Sequence, residues 1–267
     1  MSATCTPAAA FDAIAQAYDH VFTESAIGRA QRGAVWREID RCFAPGERVL
    51  EINCGTGIDA LFLASRGVHV DAFDVSPEMV RVARANQLRA AIEGHVSFAR
   101  LATEELHRVV CTYEGALSNF GGLNCVADIS AAATQLARLV IPGGRVLICL
   151  AGAACAWEVA WYGAQGRFDR AFRRLRRHAD GHVSGGKVVP VFYPTARQLT
   201  QTFAPWFELE RLRGIGVLVP PTYVEAHARR YPRLLIAAER ADRWLGRTPA
   251  VRALADHIVL VFRRRTK

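Results

Sequence analysis

The residues with the plainest chemical purpose lie in one short stretch, Glu51-Ile52-Asn53-Cys54-Gly55-Thr56-Gly57, together with Asp74. Glycines at a strand-to-helix turn let backbone approach a bulky ligand closely, and the following helix offers N–H groups that nothing else uses. Glu51, at the end of an apolar run, lies close enough to the turn to meet a cationic amino group. Asp74 closes the next apolar run, where a carboxylate can accept hydrogen bonds from both hydroxyls of a ribose. The pattern is that of a nucleoside-like ligand. Gly55-Thr56-Gly57-Ile58-Asp59-Ala60 also satisfies the GxGxxA fingerprint, so an NAD(P)-dependent oxidoreductase stays open at this point.

These residues need a framework, and the hydrophobic pattern supplies one. Arg48–Ile52 reads as a strand entering the turn, Asp59–Ser65 as a helix, and Val68–Phe73 as a second strand ending at Asp74. Ser76-Pro77-Glu78 starts another helix, with a capping serine, a proline suited to the first turn and an acid at the positive end. Val96–Phe98, Gly115–Leu117 and Arg145–Leu150 add three strands. Alternating strands and helices imply an α/β sheet, mostly parallel, with helices on both faces. Before it, Phe11 to Phe43 is helical in pattern (Phe11, Ile14, Ala15 and Tyr18 recur at helix spacing) until Pro45-Gly46; residues 1–10 are expected to be disordered. After Leu150 the rhythm breaks. It resumes near Thr195 with a helix, then strands Phe207–Leu212 and His257–Phe262, suited to an antiparallel hairpin at one sheet edge. The division is residues 1–45 as lid helices, 46–152 as core, 153–194 as an inserted cap and 195–267 as completion of the sheet.

Four motifs in order decide the reading: Glu51, the glycine turn Asn53-Cys54-Gly55-Thr56-Gly57, Phe73-Asp74-Val75-Ser76-Pro77-Glu78-Met79, and Pro142-Gly143-Gly144 before a strand; a Phe11-Asp12-x-Ile14-Ala15-x-x-Tyr18-Asp19 stretch precedes them. Together they resemble the class I S-adenosylmethionine-dependent methyltransferases, whose glycine segment usually reads E/D-x-G-x-G-x-G. The resemblance covers residues 10–150 well and the last part of the chain more loosely. It implies a Rossmann-like seven-stranded sheet with an antiparallel last strand and a late cap. It also implies methyl transfer from S-adenosyl-L-methionine, leaving S-adenosyl-L-homocysteine, to an oxygen, nitrogen or carbon of a small metabolite. By the same resemblance Glu51, Asn53, Cys54, Gly55 and Gly57 hold the methionine part, Asp74 the ribose, and Val75 and Met79 the adenine. Tyr18 covers the cofactor, and Arg32 pairs with its carboxylate or else is an exposed helical arginine. Ser118, Asn119 and Phe120 lie beside the sulfonium. Two positions depart from the pattern. Asn53 replaces the first glycine, tolerable because asparagine adopts positive φ better than most residues. Ala102 stands where an aspartate usually meets the adenine, which shifts that contact to backbone or to Thr103.

The remaining signals bound the function class. The chain has 267 residues, 51% hydrophobic and 22% charged, the composition of a protein with a full core. A net charge of +9 leaves nucleic acid, membrane surface and anionic substrates all open. Nucleic-acid amine methylation is not expected, because the Ser118–Asn124 segment lacks the paired prolines that hold a flipped base. The seven cysteines show no CxxC pair and suit a reducing cytoplasm; no secretory leader or transmembrane run is evident. No ligand spacing indicates a metal. Displacement at an activated methyl needs alignment more than a base, so no catalytic residue is assigned; His107, His178, His182 and His227 are each more readily surface or core histidines. Trp157, Tyr162, Tyr193 and Tyr223 are the candidate substrate residues. In the cap, Phe168, Ala171, Phe172 and Leu175 mark one face of a helix and Arg167, Arg170, Arg174 and Arg177 another, read as a solvated basic face; Gly181, Gly185 and Gly186 suggest a mobile loop. A second basic concentration runs through Arg229, Arg230, Arg233 and Arg240 to Arg263-Arg264-Arg265. A methyltransferase-like protein that binds the cofactor without transferring methyl is the remaining alternative, and oligomeric state is not legible.

Overall fold

The computed structural model describes residues 6–92, 94–183 and 187–266. Its centre is a seven-stranded sheet in the order β3-β2-β1-β4-β5-β9-β8. Strands β1 (Arg48–Ile52), β2 (His69–Asp74), β3 (Val96–Arg100), β4 (Tyr113–Ser118) and β5 (Val140–Ala151) run parallel. Helices α4 (Ile58–Ala64), α5 (Pro77–Ala90) and α6 (Ile129–Leu139) occupy crossovers between them. Val49, Leu50 and Ile52 are buried on alternating faces of β1, as a parallel strand covered on both sides requires. Leu50, Leu136, Phe203 and Phe262 belong to one hydrophobic layer, and Val49, Val35, Leu117 and Val261 to the other. The two late strands pair antiparallel at one edge of the sheet, as their pattern suited, although a long helical connection joins them. β9 (His257–Arg264) inserts between β5 and β8 (Phe207–Ile215), antiparallel to both. Between β8 and β9 come α10 (Glu225–Arg230), α11 (Pro232–Leu245) and α12 (Pro249–Arg252), elements the sequence pattern did not reveal.

The amino-terminal region departs from a continuous helical run. α1 (Pro7–Asp12), capped by Thr6, is ordered where disorder was expected; residues 1–5 lie outside the described residues. α2 (Ala15–Tyr18) passes into a π-helical turn over Asp19–Thr23, and Ser25 caps a separate α3 (Ala26–Ile39). Wide π turns of this kind concentrate at functional sites.

The cap overturns the amphipathic-helix reading. After α7 (Ala156–Gly163), α8 (Phe168–Ala171) stops after one turn, and Arg173–Arg176 form a 3₁₀ turn. Phe168, Phe172 and Leu175 face solvent. Arg174 is buried and donates to Glu158 Oε1 at 2.9 Å and Asp256 Oδ1 at 2.7 Å, while Arg173 donates to Glu158 at 2.6 Å. The distant carboxylates decide the direction, because a guanidinium is buried where paired acids satisfy it. A hairpin follows, β6 (His178–Val183) with β7 (Lys187–Phe192), then α9 (Ala196–Phe203) opened by the capping box of Thr195 and Gln198. Gly181 and the backbone of His182 lie in β6; Gly185 and Gly186 lie outside the described residues.

Candidate functional site

The glycine turn leaves β1 through Asn53, whose φ of 57° places it in the left-handed region. Its side chain pins the turn on two sides: Nδ2 donates to Thr103 Oγ1 at 3.0 Å, and Oδ1 accepts from Ser118 Oγ at 3.2 Å. The two glycines differ in purpose. A Cβ on Gly55 would meet nothing within 4 Å, so this residue opens its face to a cavity. A Cβ on Gly57 would lie 2.6 Å from the Phe98 ring, so Gly57 serves close packing of the turn on β3 instead of ligand approach. The cavity holds about 330 Å³ at the carboxyl ends of β1, β2 and β4, where an open parallel sheet takes its ligands.

Asp59 and Asp74 line its base, whereas Glu51, buried at the end of β1, does not line it. Asp74 is buried and accepts Gly55 N–H on Oδ2 and Ser76 N–H on Oδ1, both at 2.9 Å. Burial raises its carboxyl above the ordinary range, and these two backbone donors hold the rise back. Glu51 is 1% exposed, and its Oε2 has no hydrogen-bond partner. Burial pushes its carboxyl well up; Asp59 and Asp74 push the same way and Arg32 opposes them. Asp59 accepts from Arg32 Nη1 at 2.5 Å, Trp36 Nε1 at 2.6 Å and Asn119 Nδ2 at 2.9 Å. Arg32 is therefore buried and paired within the chain, and not the exposed helical arginine of the alternative reading. Its guanidinium lies 4.9 Å from the Phe120 ring centroid and 5.5 Å from that of Phe22. Three carboxylates against one guanidinium make a site suited to a cation, within a chain of net charge +9.

The lid is tethered by the two aspartates of its motif. Asp12 Oδ1 accepts from Ser76 Oγ at 2.5 Å and from Glu78 N–H at 3.2 Å, closing on the amino end of α5. Asp19 accepts from Thr56 Oγ1 at 2.7 Å and Asn86 Nδ2 at 2.9 Å, so the π turn is fastened to the glycine turn. Tyr18 lines the cavity between these tethers, and burial pushes its phenol up to about 12. Asp12→Ala is expected to cost about 1 kcal/mol, the usual scale of a lost helix cap. It should also speed proteolysis within residues 6–23, checked by thermal unfolding and timed digestion; unchanged behaviour in both would remove the tether.

The other expected residues divide. Val75, Met79, Cys54, Thr103, Asn119 and Phe120 line the cavity. Ser118 stands behind it, bonded to Asn53. Ala102 does not line it, and its N–H donates to Glu105 at 3.1 Å, so that backbone group is already used; exposed Glu104 brings a carboxylate to the rim instead. The four aromatic candidates lie elsewhere. Tyr162 and Tyr223 pack 5.3 Å apart beside Trp161, Tyr193 lies buried under the Arg174 guanidinium, and Trp157 belongs to α7; none lines this cavity. Cys125 and Val126 supply apolar wall in their place. Burial pushes the Cys125 thiol up to about 11 and Cys54 well up, so neither is a thiolate nucleophile at neutral pH. His107 bonds to a carbonyl of its own turn, His178 packs on Phe192 and His227 on Trp161. The histidine brought beside Phe120 is His257, at the start of β9, whose ring meets Phe120 edge-on at 5.4 Å and whose Nδ1 lies 3.3 Å from Asp256. It went unnoticed because in sequence it is one polar residue opening an apolar strand. Among the described residues no group of three or more His, Cys, Asp or Glu could hold a metal ion.

Residues 49–144 match a family described as a methyltransferase domain. A demethylmenaquinone methyltransferase of Clavibacter sepedonicus is 34% identical over 144 residues, which are 53% of this chain and 56% of that protein. A ubiquinone biosynthesis O-methyltransferase of Xylella fastidiosa is 35% identical over 103 residues, 39% of this chain and 41% of its own length. The chain thus spans about half the length of the curated relatives it matches. Among solved structures, an S-adenosylmethionine-dependent methyltransferase from Mesorhizobium loti shares the fold with a TM-score of 0.56 at 17% identity, covering 86% of this chain and 98% of that one. No described helix is long and apolar enough to cross a membrane.

Proposed function

For a chain that belongs to the class I S-adenosylmethionine-dependent methyltransferase superfamily, we propose that the cavity binds S-adenosylmethionine and that the protein methylates a small, apolar molecule. One observation carries the cofactor: buried Glu51 keeps an oxygen without a partner beside Asp59 and Asp74. An ammonium and a sulfonium suit that ground, whereas the doubly negative pyrophosphate of a nicotinamide dinucleotide would face three acids. When bound, the cofactor supplies an activated methyl group, and the protein need only position the acceptor and exclude water. Glu51 and the open face of Gly55 would hold the amino-acid end, Asp74 the ribose, and Val75 and Met79 the adenine. Asp12 and Asp19 hold the lid against the core, keeping water out. Phe120, Cys125 and Val126 give the acceptor side its apolar wall. The printed names of the relatives, in menaquinone and ubiquinone methylation, support an oxygen or ring carbon of a lipophilic acceptor. The free thiols of the described cysteines support a reducing, cytoplasmic setting.

Calorimetric titration with S-adenosylhomocysteine and, separately, NAD tests the reading. Micromolar binding of the first and none of the second is the expected result; NAD binding would replace the proposal with an oxidoreductase. Asp74→Asn should weaken S-adenosylhomocysteine about tenfold, the difference between a charged and a neutral acceptor. Methylated product from a screen of quinols and phenols would separate a transferase from a protein that only binds.

A further inference from the structure

α11 turns most of its surface away from the protein. Leu235 is its buried residue, and Asp242 moors it by accepting the N–H groups of Val217, Leu218 and Val219 at 3.1, 2.8 and 3.1 Å. Away from that stripe, Leu234 is 67%, Ile236 47% and Trp244 74% exposed. Singly exposed apolar side chains are ordinary, but three on one helix need a reason. On the same helix Arg233, Arg240 and Arg243 are exposed, and Arg247 follows it. None of these four makes a hydrogen bond or ion pair with an acid among the described residues; Arg247 lies 5.6 Å from the Trp244 ring. Arg229 on α10, by contrast, is held by Glu225 at 2.8 Å.

A cleft of about 180 Å³ adjoins the helix, between α3 and the end of β8. Arg37, Arg41, Arg213, Arg243 and Arg247 line it, and Arg213 Nε is buried there without a hydrogen bond, 3.8 Å from Glu38 Oε1. Of the acids facing the cleft, Glu38 is shared by Arg41, Arg211 and Arg213, and Asp242 is occupied by backbone; Glu239 is the third. Burial and the facing Arg243 both lower the Arg37 pKa, a sign of cations gathered without enough counter-charge.

We propose that α11 and this arginine cleft form a docking surface for a bilayer containing anionic phospholipid. Exposed Trp, Leu and Ile suit the boundary between headgroups and acyl chains, and guanidinium groups beside them pair with lipid phosphates. A second copy of the chain fits poorly, because it would bring the same unpaired arginines against these. The surface is distinct from the cavity, although α3 contributes Arg37 here and Arg32 there. Docking would bring a lipophilic acceptor's source to the protein without a spanning helix.

The test is co-sedimentation of the full chain with vesicles of phosphatidylcholine alone and of phosphatidylcholine mixed with phosphatidylglycerol. Binding to the mixed vesicles that weakens with added salt is expected. Arg240→Glu with Arg243→Glu should reduce it about 25-fold or more, at roughly fivefold for each arginine lost near the surface. Trp244→Ser should reduce it and remove a blue shift of tryptophan emission, with circular dichroism confirming that both variants fold. Equal binding to both vesicles, no binding, or binding indifferent to the variants would overturn the proposal. So would inorganic phosphate occupying the cleft without vesicle binding, or a dimer in solution that covers Trp244.

Discussion

Glu51→Gln is expected to weaken S-adenosylhomocysteine binding by about 100-fold while leaving the ligand-free protein at least as stable as its parent. The two halves share one cause. A hydrogen bond from a cationic donor to a carboxylate is worth roughly 1.5–3 kcal/mol, between tenfold and somewhat over a hundredfold in affinity. Glutamine keeps the shape and loses the charge. In the ligand-free protein that charge is a liability, since Glu51 is buried, has an unpartnered oxygen and lies near Asp59 and Asp74. Loss of both binding and stability would indicate a structural acid instead.

The same residue predicts a pH dependence. Its carboxyl is raised in the folded state, so the folded chain holds a proton that the unfolded chain releases near the ordinary value of about 4.3. The stability this contributes is fully present below that value and is lost as pH rises through the folded one. A cationic ligand reverses the preference by favouring the carboxylate, so binding should release a proton and tighten as pH rises toward neutrality. Calorimetry in two buffers of different ionisation enthalpy reads the released proton directly. Glu51→Gln should release none.

Where chain-local physics decides, the sequence was legible. β1 occupies the span its apolar run marks, and Ser76 caps α5 by accepting Met79 N–H at 3.0 Å. The left-handed Asn53 was readable from residue type alone. Arg174 was not, because its direction is set by Asp256, 82 residues away. Nor was Asp59: an acid in the first turn of a helix usually faces solvent, and its burial depends on Arg32, Trp36 and Asn119. The aromatic residues of the cap were legible as a cluster but not as a place, since hydrophobicity cannot say which cavity a ring lines. Tyr162 packs on Tyr223, from beyond the cap, and Tyr193 lies under Arg174.

The departure at Asn53 carries a consequence for its neighbour. A Cβ built on Gly122 would lie 2.2 Å from Asn53 Cβ and 2.7 Å from its Cγ, and the three nearest atoms it meets all belong to that side chain. A chain with glycine at position 53 would leave the space free, so these two positions are coupled in opposite senses. Gly122→Ala is expected to destabilise the protein by about 3 kcal/mol, at the upper end for overpacking, and to abolish measurable S-adenosylhomocysteine binding by displacing the glycine turn. Asn53→Gly alone loses the bonds to Thr103 and Ser118 and gains chain entropy in the unfolded state, a cost of about 1 kcal/mol. The double variant should then be more stable than Gly122→Ala alone, with a coupling of about 2 kcal/mol in a cycle read by urea unfolding. Additive costs would mean that Gly122 is required for its own backbone and not for the room it gives Asn53.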